Sequence, residues 1–305
     1  MDREERSRKL NRRNVLKTVG VAGASIAGVS GNASANEEFG NHAGLDLPGE
    51  TSCEEDRNSD ENLPFNTDGT YGGWGGHEYH GTEPGIEHYP VVFVHGNSRD
   101  ACDFNEHAEY FIERGYGGDA LWSITFRETG STHEMMRDQL EDFIERITEE
   151  TSVNGVNVVG HSLGVTGIRH WMDDMNRFDR VETFVGLAGA NHGTETCGPL
   201  CESGPGTARP CDFIAIPCAD TLGEPLFELN NPDETPGNVE YYTIRGTADA
   251  FFTTRMNSPE LEGAVENVVL DGATHDEVRT SNESKELMFQ WLSEELPPAA
   301  RRQDG

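Results

Sequence analysis

Lysine is almost missing from this chain. Its 305 residues include only Lys9, Lys17 and Lys285, and the last is the only one beyond residue 35. Basic residues of both kinds number 23 against 55 Asp and Glu, a formal net charge of −32. A chain this negative has no face suited to neutralising nucleic-acid phosphates or anionic lipid, so no nucleic-acid partner is expected. Long apolar runs are missing as well. The weakly apolar stretch from Thr18 to Ser30 is rich in Gly and Ala and falls short of the ~20 residues of a membrane span, so no stable membrane insertion is expected. Hydrophobic residues make up 34% of the chain, a low share for a globular protein. The length still suffices to bury a sizeable core, which excludes a disulfide-knotted miniprotein.

The basic residues that exist are unevenly placed. Arg12 and Arg13 precede Asn14-Val15-Leu16-Lys17, then the apolar run, then Ala33-Ser34-Ala35. This resembles a twin-arginine export signal with an A-x-A cleavage site, so residues 1–35 are set apart from the fold and the protein is expected to be secreted, with a mature start near Asn36. In an oxidising compartment the six cysteines, Cys53, Cys102, Cys197, Cys201, Cys211 and Cys218, read as disulfide partners. Four of them lie in a Gly- and Pro-rich segment between Cys197 and Cys218, where stapling replaces a missing core. Their spacing matches no strong zinc pattern, and neither a metal nor a cofactor is expected. Cys53 with Cys102 is one pairing that would tie the N-terminal segment to the core.

From residue 36 to 88 the chain is acidic and Gly-rich (Glu54-Glu55-Asp56, Gly72-Gly73-Trp74-Gly75-Gly76) and reads as a mostly irregular arm. A regular alternation follows. Pro90 to Val94 is a short continuous apolar run, as in a strand buried on both faces. Helical spacing follows at Phe104, Ala108, Phe111 and Ile112. Next come a strand near Ala120 to Phe126 and a helix through Met136, Leu140, Phe143, Ile144 and Ile147, with Ser131 and Glu134 as its capping box. Further strands are expected at Val156 to Val159, Val181 to Leu187, Val239 to Ile244 and Val265 to Leu270, before a closing helix through Leu287, Met288, Trp291 and Leu292. The pattern predicts an α/β fold over residues 89–296, a mainly parallel sheet with helices on both faces, followed by a short tail, 297–305.

In such a sheet, chemistry gathers beyond the carboxyl ends of the strands. After Val156 to Val159 comes Gly160-His161-Ser162-Leu163-Gly164 and then an amphipathic helix, the setting of a nucleophile elbow. A serine hydroxyl needs a base, and the base an orienting carboxylate, in the chain order Ser, acid, His. His275, in Gly272-Ala273-Thr274-His275 after the last strand, is the expected base. His192 is the weaker alternative, and His170 falls within a helix. Asp249 follows the penultimate strand and is the expected acid, whereas Asp271 and Asp276 are expected to be solvated. The oxyanion donors are expected to be the backbone amides of Leu163 and Asn97. His95, His161 and His192 are candidates for lining the substrate, with His95 also read as a packed residue that fixes its loop.

These residues carry a family resemblance. The stretch from about Tyr89 to Leu296 resembles the α/β-hydrolase fold and, within it, the small bacterial class 2 lipases. The likeness rests on Val91-Val92-Phe93-Val94-His95-Gly96, the serine motif, Ala248-Asp249, and Asn267 to His275. It implies hydrolysis of carboxylic esters, acylglycerols included, through an acyl-serine intermediate and without a metal. The cysteine-rich insertion, about 191–235, departs from the usual member and would lie beside the cleft. Thr183 to Gly189 followed by Cys197 also resembles extracellular polyhydroxyalkanoate depolymerases, so a polymeric ester is the alternative substrate. A non-catalytic surface binding module is the reading outside enzymes.

An acidic surface nearly free of lysine is the composition of a protein adapted to concentrated salt, where screening over a few ångström makes self-repulsion tolerable. The melting midpoint is therefore expected to rise with NaCl concentration, and a midpoint that does not move would refute the adaptation.

Overall fold

The computed structural model describes residues 56–197, 210–216 and 224–297. The export segment, Cys53, Cys201, Cys218 and tail residues 298–305 lie outside them.

Six of the seven strands form where the apolar runs predict them. The sheet contains β1 (Tyr71–Gly75), β2 (Val91–Val94), β3 (Leu121–Phe126), β4 (Val156–His161), β5 (Val181–Leu187), β6 (Glu240–Gly246) and β7 (Glu266–Leu270), in the order β1-β3-β2-β4-β5-β6-β7. All neighbours are parallel except β1 and β3. Val91, Val92, Phe93 and Val94 are fully buried, as expected of a central strand covered on both faces.

The covering helices are α1 (Gly76–His80), α2 (Asn105–Ile112), α3 (His133–Thr151), α4 (Leu163–Asp174), α5 (Cys211–Ile214), α6 (Pro225–Asn230), α7 (His275–Thr280) and α8 (Asn282–Leu292). In α3 the buried residues Met136, Leu140, Phe143, Ile144 and Ile147 are those that the helical spacing selected. Its cap differs. Thr132 accepts the Met135 N–H, whereas the Ser131 hydroxyl donates to the Glu128 carbonyl at 2.8 Å and is used up in the preceding turn. Among the described residues, no helix is long and apolar enough to cross a membrane.

The segment expected to be an irregular arm is corrected by β1. Tyr71 and Trp74 are buried, Trp74 Nε1 donates to the Ala101 carbonyl at 3.1 Å, and the Tyr71 hydroxyl donates to Asp142 at 2.6 Å. Glycines hid this strand, because they contribute no apolar alternation. The pairing depends on their lack of a side chain: a Cβ on Gly73, at φ +141°, would stand 2.2 Å from the Ser123 carbonyl oxygen. Gly73→Ala should therefore lower the melting temperature by roughly 4–8 °C, the effect of about 2 kcal/mol of overpacking in a domain of this size. A thermal melt within 1 °C of the parent would overturn this account of β1.

Candidate active site

Register brings the carboxyl ends of five strands level. Val94 pairs with Gly160, His161 with Leu187, Leu187 with Ile244, and Gly246 with Leu270. The loops that follow carry Gly96 to Asp100, Ser162, Ala188 to Glu195, Asp249 and His275, so residues far apart in sequence come together at one edge; Arg99 and Asp276, in contact there, are 177 positions apart.

Ser162 joins β4 directly to α4 at φ 54°, ψ −120°, a backbone conformation that L-residues rarely adopt. Both of its peptide groups are satisfied: its N–H donates to the Leu187 carbonyl at 2.8 Å and its carbonyl accepts from Val165 at 3.1 Å. The turn is tight because α4 presses against the end of β2. A Cβ on Gly164 would lie 2.5 Å from the Val94 carbonyl oxygen and 2.7 Å from that of His95. The loop after β2 lies against the serine, with the Cβ position of Gly96 only 3.1 Å from Ser162 Cβ.

The expected acid and base meet. His275 Nδ1 and Asp249 Oδ2 are 2.8 Å apart, with the Asp249 side chain 1% exposed and His275 13%. Asp249 uses its other oxygen to accept the Phe251 N–H at 2.9 Å, which leaves the carboxylate little freedom to turn. The Phe251 ring stands 4.3 Å from the imidazole. His275 is the first residue of α7, whose start is fixed by a capping box between Thr274 and Glu277. On the serine side, His161 Nε2 donates to the His275 carbonyl at 3.2 Å, and the two rings are 4.9 Å apart. The neighbour of the serine thus holds the backbone of the histidine.

The expected oxyanion donors are Leu163, the residue after Ser162, and Asn97, in the loop whose Gly96 lies against the serine. Leu163 opens α4, so its N–H has no carbonyl one turn earlier to bond. Asn97 follows Gly96, and among the described residues no backbone hydrogen bond uses its N–H.

The three histidines expected to line the substrate have other surroundings. His95 and His161 are 2% and 1% exposed, which removes them from any surface open to a ligand. His95 Nδ1 donates to the Gly96 carbonyl at 2.7 Å and Nε2 accepts the Phe126 N–H at 3.1 Å, so it fixes the loop as a neutral ring, its pKa pushed down to about 3 by burial. Burial likewise holds the pKa of His161 far below the ordinary value. His192 is partly exposed, but Nδ1 faces the Ser258 carbonyl at 3.1 Å and Nε2 faces Glu234 at 2.8 Å. Neither nitrogen is left for a serine hydroxyl, which disposes of His192 as an alternative base.

Several features of the site carried no sequence signal. Asp276, expected to be solvated, accepts from Arg99 at 2.9 Å. Thr194 Oγ1 donates to the Phe251 carbonyl at 2.8 Å, and Glu195 accepts the N–H groups of Thr253, Thr254 and Arg255. The start of the insertion therefore clasps the loop that carries Asp249. Cys197 and Cys211 form a disulfide across the insertion; Cys102 is disulfide-bonded too, while the expected pairing with Cys53 involves a residue outside those described.

A mainly parallel seven-stranded sheet, a strained serine between strand and helix, and an Asp–His pair after the last two strands define an α/β-hydrolase. The chain belongs to the class 2 lipase family, which its residues 88–288 match, and it is accordingly an ester-hydrolysing enzyme of lipid-ester type. Similar folds include the mature form of Bacillus licheniformis lipase BlEst2, at 15% identity over 67% of this chain and 92% of that one, with a TM-score of 0.53. Aspergillus fumigatus lipase B is similar at 15% identity over 69% of this chain, with the same TM-score of 0.53. This chain spans about half, 53%, of that lipase and of the propeptide form of BlEst2.

The buried histidines make stability depend on pH. His95 and His107 have pKa values pushed down to about 3 by burial, against about 6.5 when unfolded. Their contribution is complete above pH 6.5 and is lost as pH falls towards 3, because only the unfolded chain takes up the protons, at up to about 1.4 kcal/mol per pH unit for each ring. Melting temperature should fall between pH 7 and pH 5, and His107→Gln should shrink that difference; equal differences in the two proteins would count against it.

Proposed function

We propose that the protein is an exported serine carboxylester hydrolase acting on acylglycerol-type esters through an acyl-serine intermediate. The observation that carries this reading is the 2.8 Å Asp249–His275 pair next to a serine held at positive φ. Ser162 attacks the ester carbonyl while His275 accepts its proton through Nε2, the nitrogen left over from the bond to Asp249. Asp249 fixes the ring orientation and stabilises the imidazolium, and the amides of Asn97 and Leu163 receive the charge that develops on the carbonyl oxygen. His275 then protonates the departing alcohol, and a water molecule repeats the sequence on the acyl-enzyme. Export is supported by the twin-arginine segment and by a disulfide at Cys197–Cys211, which suits an oxidising compartment.

The insertion leaves a second ester class in play. Thr194 and Glu195 place its stapled start against the acid loop, where a rim would meet a polymeric substrate such as a polyhydroxyalkanoate.

Ser162→Ala should reduce p-nitrophenyl butyrate hydrolysis by about 10⁴-fold while leaving the melting temperature unchanged. A fluorophosphonate should label the parent and not the variant; an unlabelled parent would point to a binding module instead. Tributyrin turnover with an inert polyhydroxybutyrate film would support the glyceride reading, and the reverse pattern would replace it with the polyester one.

A further inference from the structure

Two arginines and two aspartates lie between the loop after β2 and the first turns of α7. Arg99 Nη2 donates to Asp276 Oδ1 at 2.9 Å, and its Nη1 stands 3.8 Å from Asp103 Oδ1. Arg279, one turn beyond His275, brings Nη2 to 3.6 Å from that same Asp103 oxygen and donates from Nη1 to the Asp103 carbonyl. The side chains of Arg99, Asp103 and Arg279 are 12%, 5% and 4% exposed, and that of Asp276 is 31%. The loop is held from behind as well: Arg57 donates to the Arg99 carbonyl at 2.7 Å and to the Phe126 carbonyl at 3.1 Å. On the other side, His107 Nε2 donates to the Arg279 carbonyl at 3.0 Å.

Charges withdrawn this far from water add little net stability, since their desolvation offsets their attraction. Burial pushes the Asp103 carboxyl above its ordinary range, against the opposing pull of Arg279 and Arg99. What such a cluster supplies is geometry, and its position shows what it would fix. Asp276 is the residue after His275, and Arg99 lies two residues after Asn97 in the same short loop. The Arg99–Asp276 contact is thus a direct side-chain tie between the loop with the proposed oxyanion donor and the helical turn with the proposed base.

We propose that Arg99 is a positioning residue for ester hydrolysis: by holding Asp276 it sets the place of the His275 imidazole relative to Ser162 and the Asn97 amide. The inference rests on the triad reading above. Arg99 touches no reacting atom; it acts through the first turn of α7. Displacements of about 1 Å in such an arrangement cost on the order of 10²-fold in rate, because attack requires the reacting groups to be aligned before the barrier is climbed. Binding of the ester, which depends on other surfaces, should hardly change.

The test compares Arg99→Gln, Arg99→Lys, Asp276→Asn and the Arg99→Gln/Asp276→Asn double variant with the parent. The readouts are kcat and KM on p-nitrophenyl butyrate, the rate of fluorophosphonate labelling, and the melting temperature. Arg99→Gln and Asp276→Asn should each lower kcat roughly 10- to 100-fold with KM within about twofold of the parent, and labelling should slow in parallel. The double variant should be no slower than the worse single one, because the two substitutions remove the same contact. Arg99→Lys, which keeps a charge able to reach the carboxylate, should recover part of the loss. Asp276→Asn, at a part-exposed side chain, keeps the test readable if the Arg99 variants fold poorly. Parent kcat in both single variants, or losses that multiply in the double variant, would overturn the proposal. A parent that neither labels at Ser162 nor hydrolyses esters would instead overturn the triad reading, and this inference with it.

Discussion

The close approach of α4 to the end of β2 is the constraint on which the site depends. It forces the chain to reverse direction within one residue, and that residue is Ser162, whose positive φ costs of order 1–3 kcal/mol. The strain persists because the surroundings leave no alternative. The Ser162 N–H and carbonyl are both bonded in place, and Gly164 leaves no side chain to keep the helix away from the Val94 and His95 carbonyls. The same approach delivers a free helix N-terminus, with its unbonded N–H groups, next to the serine. The strained Ser162, the Leu163 N–H without a partner one turn earlier and the helix dipole all follow from one packing contact.

The protein uses one residue type for opposite purposes by varying its surroundings. His275 keeps a part-exposed ring whose Nδ1 faces a carboxylate and whose other nitrogen is available. His95 and His161 are sealed in, and burial keeps them neutral, so they serve as rigid hydrogen-bonding spacers that hold the loop after β2 and the backbone of His275. The scarce cations are used in a similar way. Arg169, Arg279 and Lys285 are 4%, 3% and 6% exposed, spent on internal contacts while the surface stays acidic. Arg169, buried and with its pKa lowered to about 10, still carries its charge at neutral pH and donates to Asn191 Oδ1 at 3.2 Å, which orders the loop after β5.

That loop shows how the insertion is tied to the loops of Asp249 and His275. Thr194 and Glu195, just ahead of the Cys197–Cys211 disulfide, bond the segment from Phe251 to Arg255, and Phe251 in turn packs on the His275 ring. The start of the stapled segment therefore has a mechanical path to Asp249 and His275 through Phe251.

Much of this was legible in the chain alone. Continuous runs such as Val91 to Val94 mark buried parallel strands because an apolar segment covered on both faces has no polar side to show. The Gly160-to-Gly164 motif marks the elbow because at Gly160 and Gly164 a side chain would collide with the packed backbone, and the positions of Asp249 and His275 after the last strands follow from where such sheets gather their loops. The β1 strand escaped notice because glycine carries no pattern, and the capping residue of α3 was missed by one position because neighbouring Ser131 and Thr132 are chemically alike. Arg99, Asp276, Glu195 and the donor role of His161 were invisible, since each depends on a partner distant in sequence. The sequence by itself determined the order of strands β2 to β7 and the loops in which Ser162, Asp249 and His275 stand, because those are set by local periodicity and turn chemistry. Only the tertiary structure decided which charges pair, which histidines are sealed from water and how the loops brace one another, because those outcomes depend on distances that exist only once the sheet has closed its register.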